Sequence, residues 1–122
     1  MIEITGVTKA FGSDSSVLNA VDNAHFSVNA GEFVLILGRS WSGKSTLLGM
    51  LAWLIRPTSG MIRINGKDLS ALSDDNLSAL RAKEIGFIFQ FSGLIPTVTA
   101  LENVMIPTLF SPNGTETRFR AL

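Results

Sequence analysis

One short loop limits the folds open to this chain more than any other feature. Residues 38–45 read GRSWSGKS and match the pattern G-x-x-x-x-G-K-[ST]. The loop follows a continuous apolar run, FVLIL at residues 33–37, and precedes a predicted helix from about Lys44 to Ile55. A buried strand, a glycine-rich loop and a helix, in that order, are the context in which this pattern holds phosphate. The sequence therefore predicts an α/β fold built around a phosphate-binding loop.

The residue types in the loop suit phosphate chemistry. Backbone N–H groups of the loop and of the helix N-terminus would point at phosphate oxygens. Lys44 would reach the terminal phosphates as a point charge, and the Ser45 hydroxyl suits Mg²⁺, which prefers hard oxygen ligands. The alternative is a glycine-rich turn between strand and helix that has no ligand. The residues expected to bind nucleotide in this stretch are Gly38, Ser40, Trp41, Ser42, Gly43, Lys44, Ser45 and Thr46.

Alternation of apolar and polar residues predicts strands before the loop. A first strand begins at Ile2 and ends near Phe11, and a second includes Phe26 and Val28. Residues 33–37 and 85–89 are apolar at nearly every position, which favours strands buried on both faces, as in a parallel sheet.

Local signals mark the remaining turns and helices. Asn65-Gly66 predicts a hairpin turn. The helix that follows the loop is expected to run from about Lys44 to Ile55. Ser73 can cap a second helix, whose first turn is acidic and whose buried side includes Leu77 and Leu80. Thr99 and Glu102 form a capping box for a short helix that Pro107 ends.

Composition excludes several classes of function. Ten basic residues balance ten acidic ones, so no overall charge attracts nucleic acid or anionic lipid. The chain has no cysteine, and His25 alone cannot form a zinc site. The N-terminus lacks the pattern of a signal peptide. The longest apolar run, residues 47–55, is far shorter than the roughly 20 residues that a membrane span needs. We therefore expect neither nucleic-acid binding nor direct membrane insertion.

Several linked motifs resemble those of the ATP-binding subunits of ABC transporters, over nearly the whole chain. VTKAFG resembles the family's opening strand and adenine-stacking loop, and NAGEFVLILG resembles the lead-in to its phosphate loop, the Walker A motif. RPTSGMIRINGKDLSAL resembles the arm, and IGFIFQFSGLIPTVTALENVMIP resembles the Q-loop region. The stretch LSDDNLSALRAKEIGFIFQ is most similar to the lipoprotein-releasing and macrolide-exporting branch.

The resemblance implies a P-loop NTPase fold of the ABC type, with ATP and Mg²⁺ as cofactors. It implies an antiparallel β arm and part of a parallel core sheet with helices. Phe11 would stack on adenine, although it could instead be a core residue. Gln90 would position Mg²⁺ or the attacking water, although it could simply be a polar residue that ends a strand. The magnesium ligands would be Ser45 and Gln90.

The resemblance also implies partners and a location. They are a membrane-spanning permease subunit and a second ATP-binding subunit, on the cytoplasmic face of the cell membrane. The segment from Phe91 to Pro107 would lie near the groove that receives the permease.

Three family elements do not occur in the sequence: the LSGGQ-type signature, a Walker B strand ending in Asp-Glu, and a switch histidine. We therefore expect residues 1–122 to be the N-terminal portion of a nucleotide-binding domain, from Walker A to just past the Q-loop. Without a signature or a general base, the chain is not expected to hydrolyse ATP alone. Two alternatives remain: a decayed or split-gene fragment, and a nucleotide-binding module that does not hydrolyse. A small kinase is disfavoured by the Q-loop match.

Both tryptophans stand where the family has glycine. Trp41 is in the loop and Trp53 is in the predicted helix after it. If the loop needs a positive φ at Trp41, a residue with a Cβ costs about 1–2 kcal/mol there. If φ is negative, the indole can point to solvent without strain.

Overall fold

The chain folds as two compact units, Met1–Ser78 and Ala79–Leu122. The computed structural model describes residues 1–13, 16–90 and 93–106. Each unit is described by itself below. None of the helices within those residues is long and apolar enough to cross a membrane.

A four-stranded antiparallel sheet dominates the first unit, in the order β2-β1-β3-β4. Its strands are β1 (Ile2–Phe11), β2 (Leu18–Val28), β3 (Ser59–Ile64) and β4 (Lys67–Asp68). Ile2 pairs with Val28 on one side and with Ile64 on the other. This sheet is the predicted β arm, and its second strand is longer than the sequence indicated.

The first unit buries a small apolar core. Alternation along β1 and β3 directs one set of side chains inward. The most deeply buried side chains are Val7, Met50, Ile62 and Leu69. Because Met50 is in the helix after the loop, that helix is part of this core and is not a free appendage.

The β3–β4 hairpin confirms the predicted Asn-Gly turn. Asn65 has φ 49° and Gly66 has φ 78°. Two consecutive positive φ values are what a two-residue turn of type I′ requires.

Helix α1 (Lys44–Leu51) is shorter than predicted. Trp53 has φ 53°, and the N–H of Leu54 donates to the carbonyl of Gly49 at 2.8 Å while that of Trp53 donates to Met50 at 2.9 Å. These two bonds form a Schellman motif, which ends a helix with one left-handed residue. The helix therefore stops before Ile55, with Trp53 at the position that glycine normally occupies.

Two further helices confirm the local signals. Helix α2 (Asp74–Glu84) has an acidic first turn, and the N–H of Asn76 reaches the Ser73 hydroxyl at 3.4 Å. Leu77 and Leu80 are buried, as predicted. Helix α3 (Ala100–Met105) begins with the predicted capping box between Thr99 and Glu102. Pro107, the predicted end of α3, lies outside the described residues.

The two apolar runs differ from their predicted form. Residues 33–37 and 85–89 belong to no strand ladder within the described chain. Phe33 is 90% exposed, Leu37 80% and Ile88 97%. The prediction that these runs are strands buried on both faces is wrong for this chain. An apolar run becomes a buried strand only when neighbours supply hydrogen bonds and cover, and no described segment does so here.

Candidate functional site

The Lys44 ammonium lies at the centre of the glycine-rich loop. Its Nζ donates to the carbonyl of Gly38 at 2.9 Å, to that of Arg39 at 2.6 Å and to the Ser42 hydroxyl at 3.1 Å. A further bond, from the Ser42 N–H to the Arg39 carbonyl at 3.3 Å, tightens the turn. The loop therefore surrounds a positive charge. A bound phosphate would compete with the Gly38 and Arg39 carbonyls for the three protons of the Lys44 ammonium.

Gly43 joins this loop to α1 and leaves the helix N-terminus uncapped. Its φ is 86°, and it has no side chain to accept from the first N–H groups of α1. A Cβ at this position would collide with the carbonyl oxygen of Ala20 in β2. Two independent constraints, the positive φ and the close approach of Ala20, thus require glycine at this position.

The loop, β2 and the start of α1 enclose an open groove of about 310 Å³. Its walls comprise Ala20, Val21, Asp22, Ile36, Leu37, Gly38, Ser42, Gly43, Lys44 and Leu47. Ligand clefts begin at about this volume. The three β2 residues were not identified from the sequence, because nothing in an alternating strand marks which residues will lie beside a loop more than 15 positions later.

Trp41 adopts a left-handed backbone conformation, the case in which its Cβ was expected to cause strain. Its φ is 67°, and its side chain is fully exposed. The condition of a positive φ is therefore met, and the strain of about 1–2 kcal/mol applies. Since the indole contacts solvent on all sides, no burial offsets that strain.

Phe11 lies at the end of β1 and is 45% exposed. It is therefore not one of the buried core residues. The Lys9 ammonium lies 5.1 Å from the centroid of its ring, a cation–π distance. The same lysine donates to the carbonyl of Arg56 at 2.8 Å. An adenine on this ring would either use the other face or displace Lys9.

The remaining predicted site residues fall into two groups. Ser40 and Ser45 are exposed and Thr46 is half-buried, all within or directly after the loop. Gln90 is exposed and belongs to the second unit. Of the predicted loop residues, Gly38 and Ser42 accept hydrogen bonds from the Lys44 ammonium. The uncapped N-terminus of α1 and the Lys44 ammonium suit a phosphate group. The Ser45 hydroxyl oxygen is a hard ligand of the kind that Mg²⁺ prefers.

Comparison with known proteins places these features in a family. The family model for ABC transporters matches residues 21–121. A macrolide export ATP-binding/permease protein of Hyphomonas neptunium is 45% identical over 111 residues, which are 91% of this chain and 17% of that protein. A lipoprotein-releasing system ATP-binding protein of Anaeromyxobacter dehalogenans is 45% identical over 108 residues, 88% of this chain and 45% of that protein.

A solved structure gives the corresponding match in three dimensions. It is an ATP-binding cassette of Methanocaldococcus jannaschii, a dimer in a post-hydrolysis state bound to ADP and phosphate. The TM-score is 0.88 at 40% identity, over 99% of this chain and 54% of that one. The chain therefore has the P-loop NTPase fold of that cassette over the matched region. It spans about half the length of that cassette and of the lipoprotein-releasing ATP-binding protein, and 17% of the macrolide export protein.

Proposed function

The chain belongs to the ABC transporter family, and from that premise we propose that it contributes the ATP-binding loop of a transporter of the lipoprotein-releasing or macrolide-exporting type. The observation that carries this proposal is the Lys44 ammonium held inside a loop that opens onto the uncapped N-terminus of α1. Gly43, at that N-terminus, and Lys44 line one groove, and positive charge from two groups in one groove favours the binding of a polyphosphate.

Binding would exchange the internal contacts of the ammonium for phosphate. Lys44 would turn some of its three donors from Gly38, Arg39 and Ser42 to phosphate oxygens. The loop N–H groups and those of α1 would donate to the same oxygens. Ser45, and Gln90 as a second ligand, would hold Mg²⁺, which when bound neutralises charge between phosphates. Phe11 would supply a surface for the base.

The proposed assembly has two protein partners, a permease subunit and a second ATP-binding subunit. Support comes from relatives that are named as ATP-binding/permease proteins and from the dimeric cassette structure. The location would be the cytoplasmic face of the membrane, reached through the permease. In that assembly the nucleotide would drive export or lipoprotein release, with the signature and general base supplied by sequence beyond these motifs.

A specific observation favours a second candidate, a fragment or module that does not hydrolyse ATP. Trp41 and Trp53 both hold positive φ, the conformation that glycine adopts at least cost. Strain at two such positions is what relaxed selection would leave, and the strain at Trp41 falls on the phosphate loop itself.

Titration of the purified chain with Mg-ATP tests the proposal. Lys44→Ala is expected to weaken binding by on the order of tenfold or more, since charge-assisted contacts to phosphate are lost. Lys83→Ala removes an equal charge from α2 and is the matched control. Equal affinity in the wild type and in Lys44→Ala, at any level, would exclude the loop as the nucleotide site.

A further inference from the structure

Two β-bulges lie side by side where β1 pairs with β2. In the first bulge, Thr5 and Gly6 of β1 together oppose His25 of β2. In the second bulge, Asp22 and Asn23 of β2 together oppose a single residue of β1. Each bulge contains one left-handed residue, Gly6 at φ 62° and Asn23 at φ 45°. Because the extra residues are on opposite strands, the second bulge restores the alternation that the first one shifts.

His25 connects the two bulges through both nitrogens of its ring. Its Nδ1 accepts from the backbone N–H of Gly6 at 3.2 Å, and its Nε2 lies 3.0 Å from the Oδ1 of Asn23. A ring nitrogen that accepts carries no proton, so the proton is on Nε2 and is donated to Asn23. A Cβ on Gly6 would lie 3.7 Å from the Cε1 of this ring. The neutral imidazole therefore packs against the first bulge and bonds both.

The second bulge adjoins the part of β2 that lines the phosphate-loop groove. Residues 20–22, here called the β2 wall, line that groove beside the loop. Asp22 belongs both to the wall and to the bulge, and the carbonyl of Ala20 lies so close to Gly43 that a Cβ would collide with it. A change in the bulge would therefore move the β2 wall relative to the loop.

Charged groups near His25 are already held by other partners. The charged residues on β1, β2, β3 and α1 are Glu3, Lys9, Asp22, Arg63 and Lys44. Glu3 shares a sheet face with His25, because its ladder partner Ser27 is two residues from His25. Arg63 is registered opposite Glu3 on the other side. Lys9, Asp22 and Lys44 each bond a different group. The two groups that the imidazole itself bonds are both neutral.

We propose that neutral His25 is a positioning residue for the phosphate-loop groove, and that its protonation releases the β2 wall and weakens nucleotide binding. Histidine is the side chain that changes charge between about pH 5 and 8. A proton on Nδ1 turns the acceptor for the Gly6 N–H into a second donor, so that bond is lost while the bond to Asn23 remains. The bond that ties β2 to the first bulge is then gone. The part that concerns nucleotide rests on the proposed function.

Nitrogen NMR of the imidazole tests whether His25 connects the bulges. His25 is the only histidine in the chain, so both ring signals belong to it. At about pH 8 we expect Nδ1 without a proton and Nε2 with one. The opposite tautomer, or an equal mixture of the two, would overturn the proposal.

Amide signals recorded over the same titration test the link to the groove. As the pH falls from about 8 to 5, the signals of Gly6 and of residues 20–22 should move together with those of the ring. Movement of the Gly6 signal alone would show that His25 does not position the β2 wall, and would overturn the proposal.

Two substitutions separate the two bonds of the ring. His25→Asn keeps an acceptor at the place of Nδ1 and has no ring to protonate, whereas His25→Gln keeps a donor at the place of Nε2 and loses that acceptor. Between about pH 8 and 5, we expect the affinity of the wild type for Mg-ATP to fall about fivefold more than that of His25→Asn, the effect of one hydrogen bond. In acid the wild type should match His25→Gln.

His25→Asn is the matched control, because changes in the protonation of the nucleotide itself affect both forms equally. The same pH dependence in the wild type and in His25→Asn would overturn the proposal. If the wild type binds no Mg-ATP at either pH, the proposed function fails, and the effect of His25 on nucleotide binding fails with it. The ring and amide signals then still decide whether His25 connects the bulges and positions the β2 wall.

Discussion

At the scale of single residues, the two tryptophans are the most informative departures from the family pattern. Trp41 has φ 67° in the phosphate loop, and Trp53 has φ 53° at the end of α1. A left-handed residue with a Cβ is strained by about 1–2 kcal/mol. Trp53 is half-buried against its surroundings, whereas Trp41 is fully exposed and gains nothing in return. The strain at Trp41 should therefore be visible in function.

Trp41→Gly is expected to raise the affinity for Mg-ATP by about tenfold, because removal of the Cβ relieves the left-handed strain in the loop that must hold phosphate. The measurement is a calorimetric titration of both forms. Trp41→Ala is the control, since it removes the indole but keeps the Cβ, and it should recover much less affinity. Equal or tighter binding by the wild type would contradict the argument.

At the scale of elements, the short helix α3 depends on its cap more than on packing, since none of its residues is buried. The hydrogen bond from the Thr99 backbone N–H, and to a lesser extent the one from the Thr99 hydroxyl, lowers the pKa of Glu102 below its ordinary value. A carboxyl whose pKa is lowered by folding stabilises the fold above its unfolded pKa. That stability is lost as pH falls through the folded pKa. Helix α3 should therefore fray in acid.

Thr99→Ala is expected to raise the pKa of Glu102 toward its ordinary value, although it removes only the hydroxyl part of the cap. An NMR titration of the glutamate carboxyl carbons measures this shift. Glu32, at a separate turn, provides an internal control. Its pKa is lowered by a hydrogen bond from the Asn29 side chain and, to a lesser extent, by one from the Asn29 backbone N–H. A Glu102 titration that does not move in Thr99→Ala would show that the box contributes nothing in solution.

At the scale of the whole chain, the exposed run at residues 33–37 is the main liability. Phe33 and Leu37 are almost fully exposed, and the run has no ladder partner among the described residues. Each unmade backbone hydrogen bond forgoes about 1 kcal/mol net. Several together approach the typical domain stability of about 5–15 kcal/mol. A run with apolar side chains and unpaired backbone N–H and C=O groups is a template for association with other chains.

Residues 1–122 expressed alone are expected to self-associate or to melt without a sharp transition. Light scattering and thermal unfolding measure this. Leu35→Glu should reduce association, whereas Leu18→Glu, at an equally exposed position in β2, should not. Co-expression with a segment matching the other half of the relatives should restore solubility. A monomeric wild type with dispersed amide signals would contradict this view of the run.

The chain alone is expected to hydrolyse ATP no faster than its Lys44→Ala variant, because the sequence contains neither a signature nor a Walker B carboxylate to activate water. A phosphate-release assay with and without Mg²⁺ measures the rate. Magnesium-dependent turnover that Lys44→Ala abolishes would refute the expectation and show that these residues include a sufficient catalytic site.

Features encoded by neighbouring residues could be read from the sequence by itself. The Asn65-Gly66 turn, the box of Thr99 and Glu102 and the phosphate loop each depend on bonds between residues a few positions apart, so composition and spacing were sufficient. The loop residues were predicted to bind phosphate for the same reason, and their role stays a prediction. Even the family was apparent, because the motifs occur in a fixed order along the chain.

Only the tertiary structure decided features that depend on distant contacts. It placed Ala20 against Gly43, which makes glycine obligatory there, and it gave the positive φ of Trp41. It also left residues 33–37 without a ladder, although their composition favours a strand. The physical reason is the same in each case: the energy of a backbone conformation, a close approach or a strand depends on what lies across from it, and local sequence does not specify that neighbour.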